Sequence, residues 1–186
     1  MRASILKAAV LCKHAYDGTK IGDHSYTVDY DGDRTVIAIA GTANVENVIE
    51  DASCWPSRTP TEALAHNGVV HAFEEMEEEV SKHAIKPGPV VFTGHSLGGG
   101  IAQLFAEKFK CEVITFGSIK TYWRFSDIPK LQHTMVVCED DPVPMLLGFM
   151  YTNKVTPLVL KKDGDLPIEV EDHFIEEYIK RLEVTT

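Results

Sequence analysis

Gly94-His95-Ser96-Leu97-Gly98-Gly99-Gly100 is the stretch whose residue types and spacing could do chemistry. Before it lies a short apolar run, Val90-Val91-Phe92-Thr93, and after it Ile101-Ala102-Gln103-Leu104-Phe105-Ala106, which reads as a helix. A strand, a tight turn with a central serine and a helix form the setting in which G-x-S-x-G is a nucleophile elbow. The turn forces the serine into strained backbone so that its hydroxyl stands clear of the sheet edge. Glycines two residues to either side lack the Cβ atoms that would collide there. The start of the following helix aims backbone N–H groups, that of Leu97 among them, at negative charge developing beside Ser96. The chemistry implied is acyl transfer, which needs a histidine to take the serine proton, a carboxylate to orient that histidine and amides to bind an oxyanion.

Only two histidines follow Ser96, namely His133 and His173. In folds where a serine occupies such an elbow, the order along the chain is nucleophile, acid, base, and catalytic groups collect at the carboxyl ends of parallel strands. His133 precedes a predicted strand, Thr134–Cys138, so it is expected at the opposite edge as a surface residue. His173 follows a strand and a turn at the start of the last predicted helix, so it is the expected base. Asp141 lies just past the Thr134–Cys138 strand on a loop stiffened by Pro142 and Pro144, and is the expected acid. Asp140 and Glu139 are close rivals that differ only in direction. Gly41-Thr42, ending the apolar run Val36–Ala40, is placed to supply the second oxyanion donor through the Thr42 amide, with its hydroxyl as a third. Met145, Leu146, Leu147, Phe149 and Met150, just after Asp141, are the candidate lining for an apolar acyl group.

The elements that must position these residues alternate. Ser4–Ala15 carries Ile5, Ala8, Ala9, Cys12 and Ala15 on one helical face. Ser25–Tyr30 and Arg34–Ala40 read as strands around an Asp31-Gly32-Asp33 hairpin turn. Asn44–Ala52 reads as a short helix, Ser53–Thr61 as an irregular loop, and His66–Ile85 as a long helix with Val69, Phe73, Met76 and Val80 inward. Strands are also expected at Glu112–Phe116 and Val155–Leu160, a turn at Asp163-Gly164-Asp165, and a closing helix at Glu171–Leu182. The pattern predicts an α/β fold with a mostly parallel central sheet flanked by helices.

Composition bounds the rest. The chain has 186 residues, 44% hydrophobic and 25% charged, in keeping with one folded domain over 1–186. A formal net charge of -10 argues against nucleic acid and against attraction to anionic membranes. No apolar run approaches the roughly 18 residues of a membrane span, so contact with a lipid surface is expected to be transient. Cys12, Cys54, Cys111 and Cys138 have neither zinc-site nor disulfide-framework spacing, and no metal or cofactor is expected. That cysteine usage and the absence of a recognisable leader predict a cytoplasmic protein as synthesised, with any release by lysis or another route.

Gly41-Thr42, Val70-His71-x-Phe73, Val91 to Gly99, Thr115-Phe116-Gly117-Ser118, Asp141-Pro142-Val143-Pro144 and a late histidine occur in that order. Together they resemble the class 3 (fungal-type) lipases of the α/β-hydrolase superfamily, over about Val36 to Tyr178. The resemblance implies an α/β-hydrolase fold and a carboxylic ester hydrolase. It assigns Ser96 as nucleophile, Asp141 as acid, His173 as base, Thr42 and Leu97 as oxyanion donors, and Asp51 as an aspartate that orders the oxyanion loop. The chain departs from the family at Ala40, Ala72 and Ile119, where arginine, glycine and proline are usual. The family's lid would fall near Trp55–His66, here polar, proline-broken and minimal. Lipase, phospholipase, acetylesterase and thioesterase activities share this machinery. The alternative is a non-catalytic module of the same fold that binds a lipid or a partner protein.

Overall fold

The structure is a computed structural model that describes residues 2–42, 55–146, 148–161 and 173–184. The expected helix at 44–52, Asp51, Cys54, Leu147 and the turn at 163–165 lie outside the described residues.

Seven strands form the main sheet in the order β1-β2-β3-β6-β7-β9-β11. They are β1 (Thr19–Ile21), β2 (His24–Asp31), β3 (Arg34–Ile39), β6 (Val90–His95), β7 (Glu112–Phe116), β9 (Gln132–Cys138) and β11 (Leu158–Leu160). β1, β2 and β3 pair antiparallel, while every pairing from β3 to β11 is parallel. The hairpin at Asp31-Gly32-Asp33 forms as expected, with Gly32 at φ 65°.

Helices cover both faces. α2 (Asn67–Ala84) and α3 (Leu97–Phe109) pack on one side, where Val69, Phe73, Met76, Val80, Ile101 and Phe105 meet Ile37, Ile39 and Phe92. α1 (Arg2–Ala15) and α4 (Ile175–Val184) pack on the other, where Ile5, Ala8, Ala9 and Cys12 meet Ala38, Val91, Phe116 and Tyr178. β3 shows why it reads as a continuous apolar run: Ile37 and Ile39 face one core, Ala38 and Ala40 the other. In α4, Ile175, Tyr178 and Leu182 are buried, whereas Phe174 just before it is exposed.

A second, four-stranded sheet has the order β10-β8-β5-β4, formed by Pro56–Arg58, Leu64–His66, Tyr122–Trp123 and Tyr151–Thr152 in chain order. The segment expected as an irregular loop therefore contains a strand, β4, paired antiparallel with β5. Its anchor is the buried Glu107 of α3, whose carboxylate accepts from the Thr59 and Thr61 hydroxyls, the Thr61 amide at 3.1 Å and Tyr122 Oη at 2.8 Å.

Candidate active site

The parallel pairing sets the carboxyl ends of the strands side by side: Ile39 opposite Gly94, His95 opposite Phe116, Phe116 opposite Val136, Cys138 opposite Leu160. The segments that follow β3, β6, β7 and β9 begin with Gly41-Thr42, Ser96, Gly117 and Asp140-Asp141, so the expected residues converge on one edge of the sheet.

Ser96 holds φ 57° and ψ -126°, a conformation costing about 1–3 kcal/mol that persists only where the surroundings dictate it. Its amide donates to the Phe116 carbonyl at 3.0 Å, and its carbonyl accepts from Gly99 N–H at 3.0 Å. Side chains at the flanking glycines would run into backbone: a Cβ at Gly94 into the Gly98 carbonyl, one at Gly98 into the carbonyls of Ile39 and Ala40. α3 begins at Leu97, whose N–H as the first of the helix has no intrahelical acceptor.

His173 is buried, and its Nδ1 lies 2.8 Å from Asp141 Oδ2. Asp141 is further held by Tyr178 Oη, which donates to Oδ2 at 2.5 Å, and by the Val143 amide, which donates to Oδ1 at 2.9 Å. Tyr178 in turn accepts the Cys138 amide at 3.2 Å, and burial together with the Asp141 charge pushes its phenol well above its ordinary pKa, so it stays a donor. Gly117, at φ 52°, has to be glycine because a Cβ there would stand 2.7 Å from Asp141 Oδ2 and 3.1 Å from His173 Cε1. Asp140, the rival acid, turns the other way and takes both guanidinium nitrogens of the buried Arg181 at 2.7 and 3.1 Å. Glu139 follows the strand, its amide bonded to the Leu160 carbonyl at 2.9 Å.

Among the described residues, the buried side-chain atoms without a hydrogen-bond partner are Thr42 Oγ1, Ser96 Oγ, Gln103 Oε1, His133 Nδ1 and His173 Nε2. Three of the five belong to the expected nucleophile, base and oxyanion donor. Buried polar atoms are nearly always paired, so orphans gathered at one edge mark a place where something else is to be bound. Proximity runs through the intervening residues. A Cβ on Gly41 would lie 2.8 Å from Ser96 Cβ, and the His95 ring, next to Ser96, lies tilted against the His173 ring with 4.7 Å between centroids.

One expectation changes here. His133 is half-buried rather than a surface residue: β9 starts at Gln132, so the imidazole sits within the strand, Nε2 2.8 Å from Thr115 Oγ1, and burial lowers its pKa to about 4. Of the candidate acyl lining, Met145 and Phe149 are about 70% exposed, Met150 is half-buried, and Leu146 packs against the α2/α3 core. Sequence reasoning missed Tyr178 and Arg181, because each bonds a partner distant in the chain, Asp141 and Asp140.

This sheet, with its flanking helices and its serine at a strand-to-helix elbow, defines an α/β-hydrolase fold. The sequence profile of the family described as lipase (class 3) matches residues 36–150, more than half of the chain, and the chain belongs to that family. A curated relative, secreted mono- and diacylglycerol lipase 1 of Fusarium solani, is 29% identical over 73% of this chain and 47% of its own length. The chain thus spans about half the length of the curated relative it matches. Rhizomucor miehei triacylglyceride lipase superposes with a TM-score of 0.66 at 17% identity, over 85% of this chain and 79% of that one. A lipase from Rhizopus microsporus var. chinensis does so with a TM-score of 0.61 at 16% identity, over 97% and 84%.

The cytoplasmic placement expected from the sequence is overturned by the curated relative, which is a secreted lipase. The cysteine argument fails on physical grounds as well. Cys12 and Cys138 are buried thiols whose pKa burial pushes up to about 12, so they resist oxidation in either compartment. Among the described residues, no helix is long and apolar enough to cross a membrane.

Proposed function

We propose that this chain is a serine ester hydrolase acting on carboxylic esters of the acyl-lipid type, with Ser96 as nucleophile, His173 as base and Asp141 as orienting acid. The observation that carries the reading is the pairing of His173 Nδ1 with Asp141, which leaves Nε2 free, while Nε2 and Ser96 Oγ are buried atoms without a hydrogen-bond partner among the described residues. Because the carboxylate accepts, Nδ1 carries the proton and Nε2 is the free base.

In the proposed reaction His173 Nε2 takes the Ser96 proton as Oγ attacks the ester carbonyl. The Leu97 and Thr42 amides, with the Thr42 hydroxyl, bind the oxyanion of the tetrahedral intermediate. The imidazolium, stabilised by Asp141, then gives its proton to the departing alcohol and leaves an acyl-Ser96. Water, deprotonated by the same nitrogen, adds to the acyl carbon, and collapse returns the proton to Ser96 and releases the carboxylic acid. The acyl chain is proposed to lie against the exposed apolar side chains after the acid, Met145 and Phe149. The net charge of -10 favours neutral glycerides over anionic lipids as substrates. The mono- and diacylglycerol lipase relative supports the same choice.

The test is a chain-length panel of chromogenic esters and of mono- and diacylglycerols, assayed with wild type and Ser96→Ala. The expected outcome is hydrolysis by wild type and a loss on the order of 10⁴–10⁶ in kcat for the variant. Equal turnover by the two proteins removes Ser96 from its role.

A further inference from the structure

His95 is the spacer of the elbow motif, yet it is among the most heavily bonded side chains at the site. It is buried on the α1/α4 side of β6, with Nδ1 2.6 Å from Tyr16 Oη and Nε2 2.7 Å from the backbone oxygen of His173. A carbonyl only accepts, so Nε2 carries the proton. Nδ1 is then a bare acceptor, and the Tyr16 hydroxyl donates to it. The Tyr16 oxygen itself receives the Gly41 backbone N–H. Every donor in this chain therefore has one direction, from Gly41 through Tyr16 and His95 to His173.

Its two ends are the parts of the site that must agree in position. Gly41 precedes Thr42, whose amide is the proposed oxyanion donor. His173 follows the end of β11 by thirteen residues in the chain. Its ring is set by Asp141, while its backbone is held through the carbonyl that His95 grips. Ser96 is covalently next to His95. Burial, with the neighbouring His173 charge second, holds the His95 pKa near 3, so His95 stays neutral and keeps its acceptor while His173 is protonated.

We propose that Tyr16 and His95 are positioning residues for the reaction: the relay from the Gly41 amide through both side chains to the His173 carbonyl keeps oxyanion donor, nucleophile and base in register. α1, through Tyr16 at its end, is thereby part of the catalytic device. This inference rests on the ester-hydrolase reading above.

The full chain is assayed on 4-nitrophenyl butyrate as wild type, Tyr16→Phe, His95→Leu, His95→Gln and Ser96→Ala, with thermal midpoints measured alongside. Sub-ångström misplacement costs rate and leaves ground-state binding alone, since a 1 Å error can cost about 10²-fold. Tyr16→Phe is expected to lose about tenfold in kcat, and His95→Leu about 10²-fold, both at unchanged KM. His95→Gln, which restores an amide donor for the His173 carbonyl, should recover part of the loss. If His95→Leu does not fold, Tyr16→Phe decides alone, since it removes a single oxygen. Wild-type kcat in Tyr16→Phe, whatever its thermal midpoint, overturns the proposal, as does a rise in KM with kcat intact. Wild-type turnover in Ser96→Ala overturns the ester-hydrolase reading instead, an outcome separable from an inactive Ser96→Ala beside a fully active Tyr16→Phe.

Discussion

Acid should unfold this protein through histidines that are buried neutral. Burial lowers the pKa of His133 to about 4 and that of His95 to about 3, both well below the ordinary value near 6.5. The folded state then binds fewer protons than the unfolded one. Stability is therefore complete above about pH 6.5 and is lost as pH falls toward the folded values, by about 1.4 kcal/mol per pH unit for each histidine. Between pH 6 and 4.5 the two together remove about 4 kcal/mol, a large part of the 5–15 kcal/mol typical of a whole domain. Glu79 and Glu177, whose pKa values are lowered by Lys82 and by Arg181 with Lys180, add losses of the same sign only below their ordinary range. The assay is urea unfolding followed by tryptophan fluorescence at half-unit steps from pH 7.5 to 4.5. His133→Gln should flatten the slope of stability against pH in this window, leaving the contributions of His95 and of His66, whose pKa burial also lowers. Any direct cost of the substitution would displace the curve without tilting it. A variant curve parallel to wild type would refute the reasoning.

Arg181→Met should cost about 3–5 kcal/mol, read as a lower urea midpoint, because it takes the bidentate partner from the buried Asp140. Asp140→Leu added to it should recover part of that loss. Glu107→Gln should cost about 1–3 kcal/mol, read in the same assay, because an amide nitrogen then faces one of the hydroxyl and N–H donors of Thr59, Thr61 and Tyr122.

What could be read from the sequence was whatever a steric or periodic necessity had written into it. Gly94 and Gly98 are demanded by backbone that would otherwise collide, so the elbow was visible. β3 and β6 are buried on both faces, so their apolar runs were visible too. The strands of the second sheet are two or three residues long, too short to display a period of two, and β4 passed for loop. Asp141 is the acid expected from the sequence, but the directions that separate it from Glu139 and Asp140 are not legible there, since direction depends on partners. Here those partners are Arg181 for Asp140 and His173 with Tyr178 for Asp141. His133 was misjudged because its strand begins two residues earlier than its β-branched residues suggest.

The selection of the acid can be traced to one helix. Tyr178 and Arg181 stand three residues apart in α4, hence on one face, and that face meets the Asp140-Asp141 loop. One takes Asp141 at 2.5 Å and the other takes Asp140 at 2.7 Å, so two adjacent carboxylates with opposite directions are both satisfied by a single rigid element. His173 lies two residues before the start of that helix, so the proposed acid and base are located by the same body. α4 packs with α1, and α1 leads into Tyr16, whose hydroxyl meets His95. Orientation of the proposed reacting groups thus comes from the α1/α4 face of the sheet. The α2/α3 face supplies the helix that starts at Leu97 and, through Glu107, the anchor of the small sheet at the expected lid. The hydrogen bonds among Tyr16, His95, His173, Asp141 and Tyr178 therefore involve no residue of that small sheet.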